Sequence, residues 1–304
     1  MSPLAPNIIE RSAPIETWFG VGGGADLLAR PHNETELRDL LHEQAGASVQ
    51  ILGDGANLLI HDAGVDGLTI SLEEMNAVHF PEDDEAPIVT AQGGAGLPKL
   101  ILGCVQRGLA GVETLAGIPA TLGGAVVMNA GGAFGQIADS VRRVHAITRS
   151  GQKITLARHE IDFNYRRSGL NDLIITGVEL QLERVEPADQ PGLRESLKRI
   201  MAYKKNSQPM GERSAGCVFK NPTVGAERLG AGKLIDQAGC KGLAVGGASV
   251  SHVHANFVVT TPDATAQDII ELMARVRDRV DAHHGVTLEP EVVIWSRAGV
   301  GAAR

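Results

Sequence analysis

The sequence predicts an α+β protein built as two domains, 16–186 and 187–304. Three observations point there. Short strand-like runs and helix-like apolar stripes both occur along the chain. The segment 184–192, with two Pro and a Gly, interrupts them and reads as a linker. Finally, 37 glycines against 3% aromatic residues imply many tight turns and close backbone approaches, as loops that cradle a ligand need.

Residues 1–15 read as a loose arm. Asn33 followed by Glu36 has the spacing of a capping box, and Leu37, Leu40 and Leu41 form the stripe of the helix behind it. A strand is expected at 49–52, with further short strands at 58–60, 68–72 and 88–91. An apolar helix is expected over 97–109, then a glycine-rich turn region over 110–135, then sheet at 144–148, 153–156 and 173–182. Beyond the linker, 193–204 and 229–238 read as helices. Thr265 and Asp268 cap the last helix, Ile269, Met273, Val276 and Val280 form one face of it, and Gly285 ends it. Residues 286–295 close the chain as a strand.

A net charge of −8 argues against a nucleic-acid partner held by phosphate neutralisation. Local charge is different: 194–220 carries seven Lys or Arg against Glu195 and Glu212, which is either a solvated basic face or a place for an anionic small molecule. Cys104, Cys217 and Cys240 are few, odd in number and far apart, which reads as reduced thiols of a cytoplasmic protein. The N-terminus lacks the apolar run of a signal peptide, and no stretch approaches the roughly 20 apolar residues of a membrane span.

Several motifs fail on inspection. Gly20-Val21-Gly22-Gly23-Gly24-Ala25 almost fits a dinucleotide fingerprint, but Pro31 follows too soon for the long helix that the fingerprint opens. Gly230-Ala231-Gly232-Lys233 has Leu234 where a phosphate loop needs Ser or Thr, and Glu227 where it needs Gly. His252 and His254 lack further ligands at metal spacing. A Cys217–His254 hydrolase pair has no oxyanion hole in the sequence around it.

Other segments are harder to explain as scaffold. Gly53-Asp54-Gly55-Ala56-Asn57-Leu58 follows a strand directly, where glycines let backbone N–H groups approach an anion. The uncharged run 116–131 surrounds a rigid Ile118-Pro119 turn with Gly and Ala, which suits a backbone wrapped around a flat cofactor and its pyrophosphate. Asn164-Tyr165-Arg166-Arg167-Ser168, the segment 214–222 around Cys217, and Leu288-Glu289-Pro290-Glu291-Val292 supply a cation, a proton donor and a carboxylate in separate places.

In this order and spacing, these segments resemble the UDP-N-acetylenolpyruvoylglucosamine reductase family, flavoproteins with the vanillyl-alcohol-oxidase (PCMH) type of FAD-binding fold. The resemblance runs from about Thr17 to Trp295 and includes Gly242-Leu243 through Gly246-Gly247 and His254-Ala255-Asn256-Phe257. The absence of long insertions near 190–200 and 223–240 resembles the shorter subtype.

The resemblance implies an FAD-binding domain of two lobes, 16–75 and 76–186, before a smaller α+β substrate-binding domain. FAD would be held without a covalent link by Gly53, Asp54, Gly55, Ala56, Asn57 and Leu58. The second group of contacts would come from Gly117, Ile118, Pro119, Thr121, Gly123 and Gly124, continuing through Asn129, Ala130 and Gly131. NADPH would reduce FAD, and hydride would pass from FAD N5 to the enolpyruvyl ether of UDP-N-acetylenolpyruvoylglucosamine. The product would be UDP-N-acetylmuramate, a peptidoglycan precursor. Arg166 would face the substrate carboxylate, Cys217 would protonate the carbanion, and a buried, protonated Glu291 would donate to the developing charge. Tyr165, Lys205, Asn221, Lys241 and His254 match substrate contacts. This chain departs from the family at Cys217 and at Ala56, each where Ser is usual; the second change removes one hydrogen bond, about 1 kcal/mol. A monomer without metal is expected. Two other readings remain open: a non-catalytic nucleotide-sugar binding protein, and another FAD-dependent oxidase of this fold, with His32 the one candidate tether outside His42 and His61.

Overall fold

The computed structural model describes residues 8–83 and 85–297. Among these the chain packs as two units, one of 8–10, 27–54 and 67–203, the other of 11–26, 55–66 and 204–297. The units are drawn differently from the division read at residue 187. Strand pairing supplies a reason: Leu58–Ile60 pairs in parallel with Val293–Trp295, so an early segment belongs with the end of the chain.

The first unit is built on a five-stranded antiparallel sheet in the order Lys153–Ala157, Val141–Thr148, Leu173–Gln181, Ile88–Gln92, Val78–His79. A second sheet runs in the order Ile9–Ala13, Ala25–Ala29, Val65–Ser71, Val49–Leu52, its last pair parallel. Helix α1 (Glu34–Glu43) starts where the sequence places it: Asn33 Oδ1 accepts from the Glu36 amide at 3.0 Å, and Glu36 Oε2 accepts from the His32 amide at 2.8 Å. Its buried Leu37, Leu40 and Leu41 share a core with Leu68, Ile70, Ile147 and Ile174. Helix α2 (Leu97–Gln106) packs Leu100, Ile101, Cys104 and Val105 against Val89, Val144 and Val178 of the five-stranded sheet.

Two expectations are corrected here. The loose arm gives way at 9–13 to an edge strand, whose partner Ala25–Ala29 no local pattern announces; residues 1–7 of that reading lie outside the described residues. The linker is shorter than expected. After the six-residue helix α3 (Leu122–Val127), helix α4 (Gln190–Ser207) begins inside the predicted linker. Pro191 sits in its first turn, where a missing N–H removes no helical bond.

The second unit has a three-stranded antiparallel sheet, Ala244–Val245, Ala248–Val250 and Val258–Thr260. Helices α5 (Ala231–Gln237) and α6 (Ala266–His284) join it in one core through Leu234, Ile235, Ile269, Leu272, Met273 and Val276. The cap of α6 is reciprocal, as its sequence requires: Thr265 Oγ1 accepts from the Asp268 amide at 3.1 Å, and Asp268 Oδ2 from the Thr265 amide at 3.0 Å. Asp62 takes two more first-turn amides, Ala266 at 2.8 Å and Gln267 at 3.1 Å. Gly285 ends the helix at φ +65°. The final strand is only Val293–Trp295: Pro290 has no N–H, and the backbone of Glu289 and Glu291 bonds to the 218–220 segment instead.

The near-fingerprint at 20–25 is a packing device. A Cβ on Gly22 would stand 2.2 Å from the Ile60 carbonyl oxygen, and one on Gly23 2.4 Å from the Gly64 nitrogen. A strand follows it rather than a helix. Among the described residues no helix is long and apolar enough to cross a membrane.

Candidate active site

In the first unit Gly53, the 117–131 run and the Arg166 turn lie together. Gly53 leaves the strand Val49–Leu52 and runs beside Thr121; a Cβ on Gly53 would stand 3.0 Å from Thr121 Oγ1. Thr121 caps α3, accepting from the Gly124 amide at 3.3 Å. Gly123 donates to the Gly93 carbonyl at 2.8 Å, and a Cβ there would come within 3.1 Å of the same oxygen. Gly117, before the Ile118-Pro119 turn, has φ +73°, which a side chain would strain.

The following residues stitch this run to the Arg166 turn. Asn129, buried and at φ +43°, donates to Gln136 Oε1 and to the Asn164 carbonyl, both at 2.9 Å. Its Oδ1 accepts from the Ala138 amide at 3.3 Å. Asn164 and Arg167 exchange two backbone bonds, 2.8 and 3.1 Å, closing a tight turn with Arg166 at φ +56°. Arg166 Nη1 donates to the Gly131 carbonyl at 2.8 Å, and Ser168 Oγ to the Val127 carbonyl at 2.8 Å. The guanidinium lies 5.4 Å from the centre of the Tyr165 ring. A left-handed backbone at a non-glycine residue costs about 1–3 kcal/mol and persists where its surroundings hold it.

These residues fit a dinucleotide such as FAD. A pyrophosphate needs backbone N–H groups with no side chain in the way. The space beside the two turns is kept by glycine, since a Cβ on Gly53 would fill it toward Thr121. Asp54 follows in the same unit, and Gly55, Ala56, Asn57 and Leu58 belong to the second.

In the second unit the segment carrying Cys217 is held from two sides. On one, Cys217 bridges Phe257, and the Val218 amide donates to the Asn256 carbonyl at 2.9 Å. Asn256, only 2% exposed, spans the next residue with its side chain: Oδ1 accepts from the Phe219 amide at 3.0 Å and Nδ2 donates to the Phe219 carbonyl at 2.8 Å. On the other side, the Glu291 amide donates to the Val218 carbonyl at 2.8 Å, the Lys220 amide donates to the Glu289 carbonyl at 2.9 Å, and the two side chains of Lys220 and Glu289 form an ion pair. Cys217 and Glu291 therefore sit on adjacent backbone runs, one residue out of register. Of the three cysteines, none in a disulfide, only Cys217 is partly exposed. Burial pushes the Cys104 thiol up to about 12 and raises that of Cys240.

Three of the expected substrate residues gather around α5. Asn221 Oδ1 accepts from the amide of its first residue, Ala231, at 2.9 Å. A Cβ on Gly232 would stand 2.9 Å from His254 Cε1. Lys241 pairs with Asp236 of α5 at 2.8 Å. His254 is held below its ordinary pKa first by burial and further by the charge of Lys241, against the opposing effect of a backbone hydrogen bond. Its Nδ1 accepts from the Asn256 amide at 3.2 Å, and its ring meets Phe257 edge-on at 4.9 Å. Lys205 stands exposed on the last turn of α4, with no hydrogen bond to those three among the described residues. Tyr165 belongs to the first unit.

Sequence reading missed the bracing. Asn256 was visible only as part of a motif, although a polar residue between Ala255 and Phe257 is itself the signal of a buried, satisfied amide. Asp62 carried no signal, since its partners lie 204 and 205 residues away. Among the described residues no group of three or more His, Cys, Asp or Glu is arranged to hold a metal ion.

Comparison with known proteins adds the following. Residues 208–295 match the family described as UDP-N-acetylenolpyruvoylglucosamine reductase, C-terminal domain, and residues 25–157 match an FAD binding domain. A UDP-N-acetylenolpyruvoylglucosamine reductase of Desulfosudis oleivorans is 41% identical over 291 residues, 91% of each chain. One of Moorella thermoacetica is 41% identical over 281 residues, covering 92% of this chain and 90% of its own. The crystal structure of UDP-N-acetylenolpyruvylglucosamine reductase from Thermus caldophilus superposes with a TM-score of 0.77 at 34% identity, covering 92% of this chain and 95% of that one.

Proposed function

This chain belongs to the UDP-N-acetylenolpyruvoylglucosamine reductase family and is an FAD-dependent oxidoreductase of peptidoglycan precursor synthesis, and from that premise we propose how its own residues carry the reaction. FAD, when bound, supplies the hydride chemistry, with NADPH as the donor that recharges it. Gly53 and the glycine turn at 117–124 would hold the dinucleotide phosphates through backbone N–H groups.

Addition of a hydride to the enolpyruvyl double bond would leave negative charge on the carbon beside the substrate carboxylate, until a proton completes the reduction. Arg166 neutralises that carboxylate with a planar guanidinium, whose Nη1 is anchored on the Gly131 carbonyl at 2.8 Å so that the group is pre-oriented. Cys217 gives the proton that completes the product. A thiol, with an ordinary pKa near 8.5, is a far stronger acid than the serine hydroxyl usual at this position, so the substitution keeps the step. Glu291, in its protonated form, donates to the same developing charge. Asn221, Lys241 and His254 around α5, with Lys205 and Tyr165, bind the UDP-sugar. The enzyme works in the cytoplasm as a monomer.

The observation that carries this reading is the family match over residues 25–157 and 208–295, beside which the 2.8 Å bond from the Glu291 amide to the Val218 carbonyl sets the backbone bearing Glu291 next to the backbone bearing Cys217. The test is the visible spectrum of the purified protein. Flavin absorbance should bleach with NADPH and return on adding the enolpyruvyl substrate under anaerobic conditions. Protein that binds no flavin, or a bleached flavin that the substrate does not restore, refutes it.

A further inference from the structure

We infer that Asn57 is a positioning residue for Glu291, joining the 55–58 loop to the backbone that carries that carboxyl group; this rests on the role proposed above for Glu291. Asn57 Nδ2 donates to the Glu291 carbonyl at 3.1 Å, across 234 residues of sequence. The Asn57 carbonyl accepts from the Val293 amide at 3.0 Å. One residue thus grips the backbone on both sides of Val292, and the parallel pairing of Leu58–Ile60 with Val293–Trp295 continues the register. The Glu291 amide is held from another direction by the Val218 carbonyl at 2.8 Å. Both polar groups of the Glu291 peptide are therefore committed, one to Asn57 and one to the segment that bears Cys217.

The loop cannot slide to relax that grip. Gly55, at φ +65°, packs so closely that a Cβ would stand 2.6 Å from the Glu16 carbonyl oxygen, and the Trp18 amide donates to the Gly55 carbonyl at 3.2 Å. The amide side chain meets the requirement with its Nδ2 donor. An Asp would turn an acceptor toward the Glu291 carbonyl, and an Ala would leave that carbonyl without its side-chain donor. Misplacement of a catalytic group by about 1 Å can cost on the order of a hundredfold in rate.

The experiment compares Asn57→Ala and Asn57→Asp holoenzymes, alone and combined with Glu291→Gln. FAD affinity, flavin reduction by NADPH and flavin reoxidation by the enolpyruvyl substrate are measured separately. With FAD saturating, reoxidation is expected to slow at least about tenfold more than flavin reduction does. The loss should shrink to nothing in the Glu291→Gln background, because two residues acting through one group are not additive. Weakened FAD with both half-reactions slowed equally would make Asn57 a flavin ligand only and overturn the inference, as would full additivity in the double variant. A second readout needs no turnover: in holoenzyme labelled with 13C-carboxyl glutamate, the Glu291 signal, assigned by its loss in Glu291→Gln, should shift in Asn57→Asp. An unshifted signal counts against positioning. If Glu291→Gln is itself fully active, the proposed role of Glu291 fails, and the carboxyl signal still reports on Asn57.

Discussion

The Glu291 amide donates to the Val218 carbonyl at 2.8 Å, which fixes Glu291 beside the residue that follows Cys217. If Cys217 is the proton donor, its removal should strike only the half-reaction that needs a proton. Cys217→Ala is expected to slow reoxidation of the reduced flavin by substrate about 10²–10⁴-fold, the usual range for loss of a general acid. Flavin reduction by NADPH should be unchanged. Cys217→Ser should retain more reoxidation than Cys217→Ala. Anaerobic stopped-flow absorbance separates the two steps, and an Ala variant that reoxidises at the wild-type rate removes Cys217 from the mechanism.

Arg166 sits at φ +56° with Nη1 on the Gly131 carbonyl, so its fork is held by both backbone and side chain. Lysine keeps the charge but presents a point rather than a plane. Arg166→Lys is therefore expected to lower kcat/KM for the UDP-sugar by about a hundredfold, with KM rising and kcat falling together. The flavin spectrum should persist. Unchanged steady-state constants would show that the carboxylate is met elsewhere.

What the sequence disclosed, and what it hid, divides by range. The α6 cap was legible because Thr265 and Asp268 are three residues apart and satisfy each other locally. The Gly53 and Gly117 turns were legible because glycine meets a crowded or left-handed backbone at the least cost. The grouping of Asn221, Lys241 and His254 around α5 was carried by the family resemblance alone, since periodicity relates none of the three. The edge strand Ile9–Ala13 was unreadable because its evidence lies in a partner strand. The same holds for the short parallel pair Leu58–Ile60 with Val293–Trp295, where hydrophobic alternation cannot name a partner more than 200 residues away.

Asn256 shows how much an amide can hold. Its side chain satisfies both the Phe219 amide, at 3.0 Å, and the Phe219 carbonyl, at 2.8 Å, inside the core. Asn256→Ala strands two backbone groups, each costing about 1–3 kcal/mol when buried and unpaired. A loss of about 2–5 kcal/mol in unfolding free energy is expected, read from urea denaturation. Asn256→Asp should also destabilise, because it keeps the acceptor but sets a carboxylate against the Phe219 carbonyl. A change under about 0.5 kcal/mol in Asn256→Ala would mean that the segment bearing Cys217 is held by its other bonds.

His254 makes stability depend on pH with a definite sign. Burial first, and then the charge of Lys241, hold its folded-state pKa below the ordinary value. As pH falls through the unfolded-state value, near 6.5, the unfolded chain takes up a proton that the folded protein still refuses. The group contributes no penalty above that pH. The penalty grows from there down to the lowered folded-state pKa and is constant below it. His254→Gln cannot titrate, so between about pH 7 and pH 5 the wild type should lose stability more steeply than the variant, as seen in urea midpoints measured along that range. Parallel curves would mean that the imidazole protonates in place without resistance, and that its Nδ1, which accepts from the Asn256 amide at 3.2 Å, is not held as an acceptor.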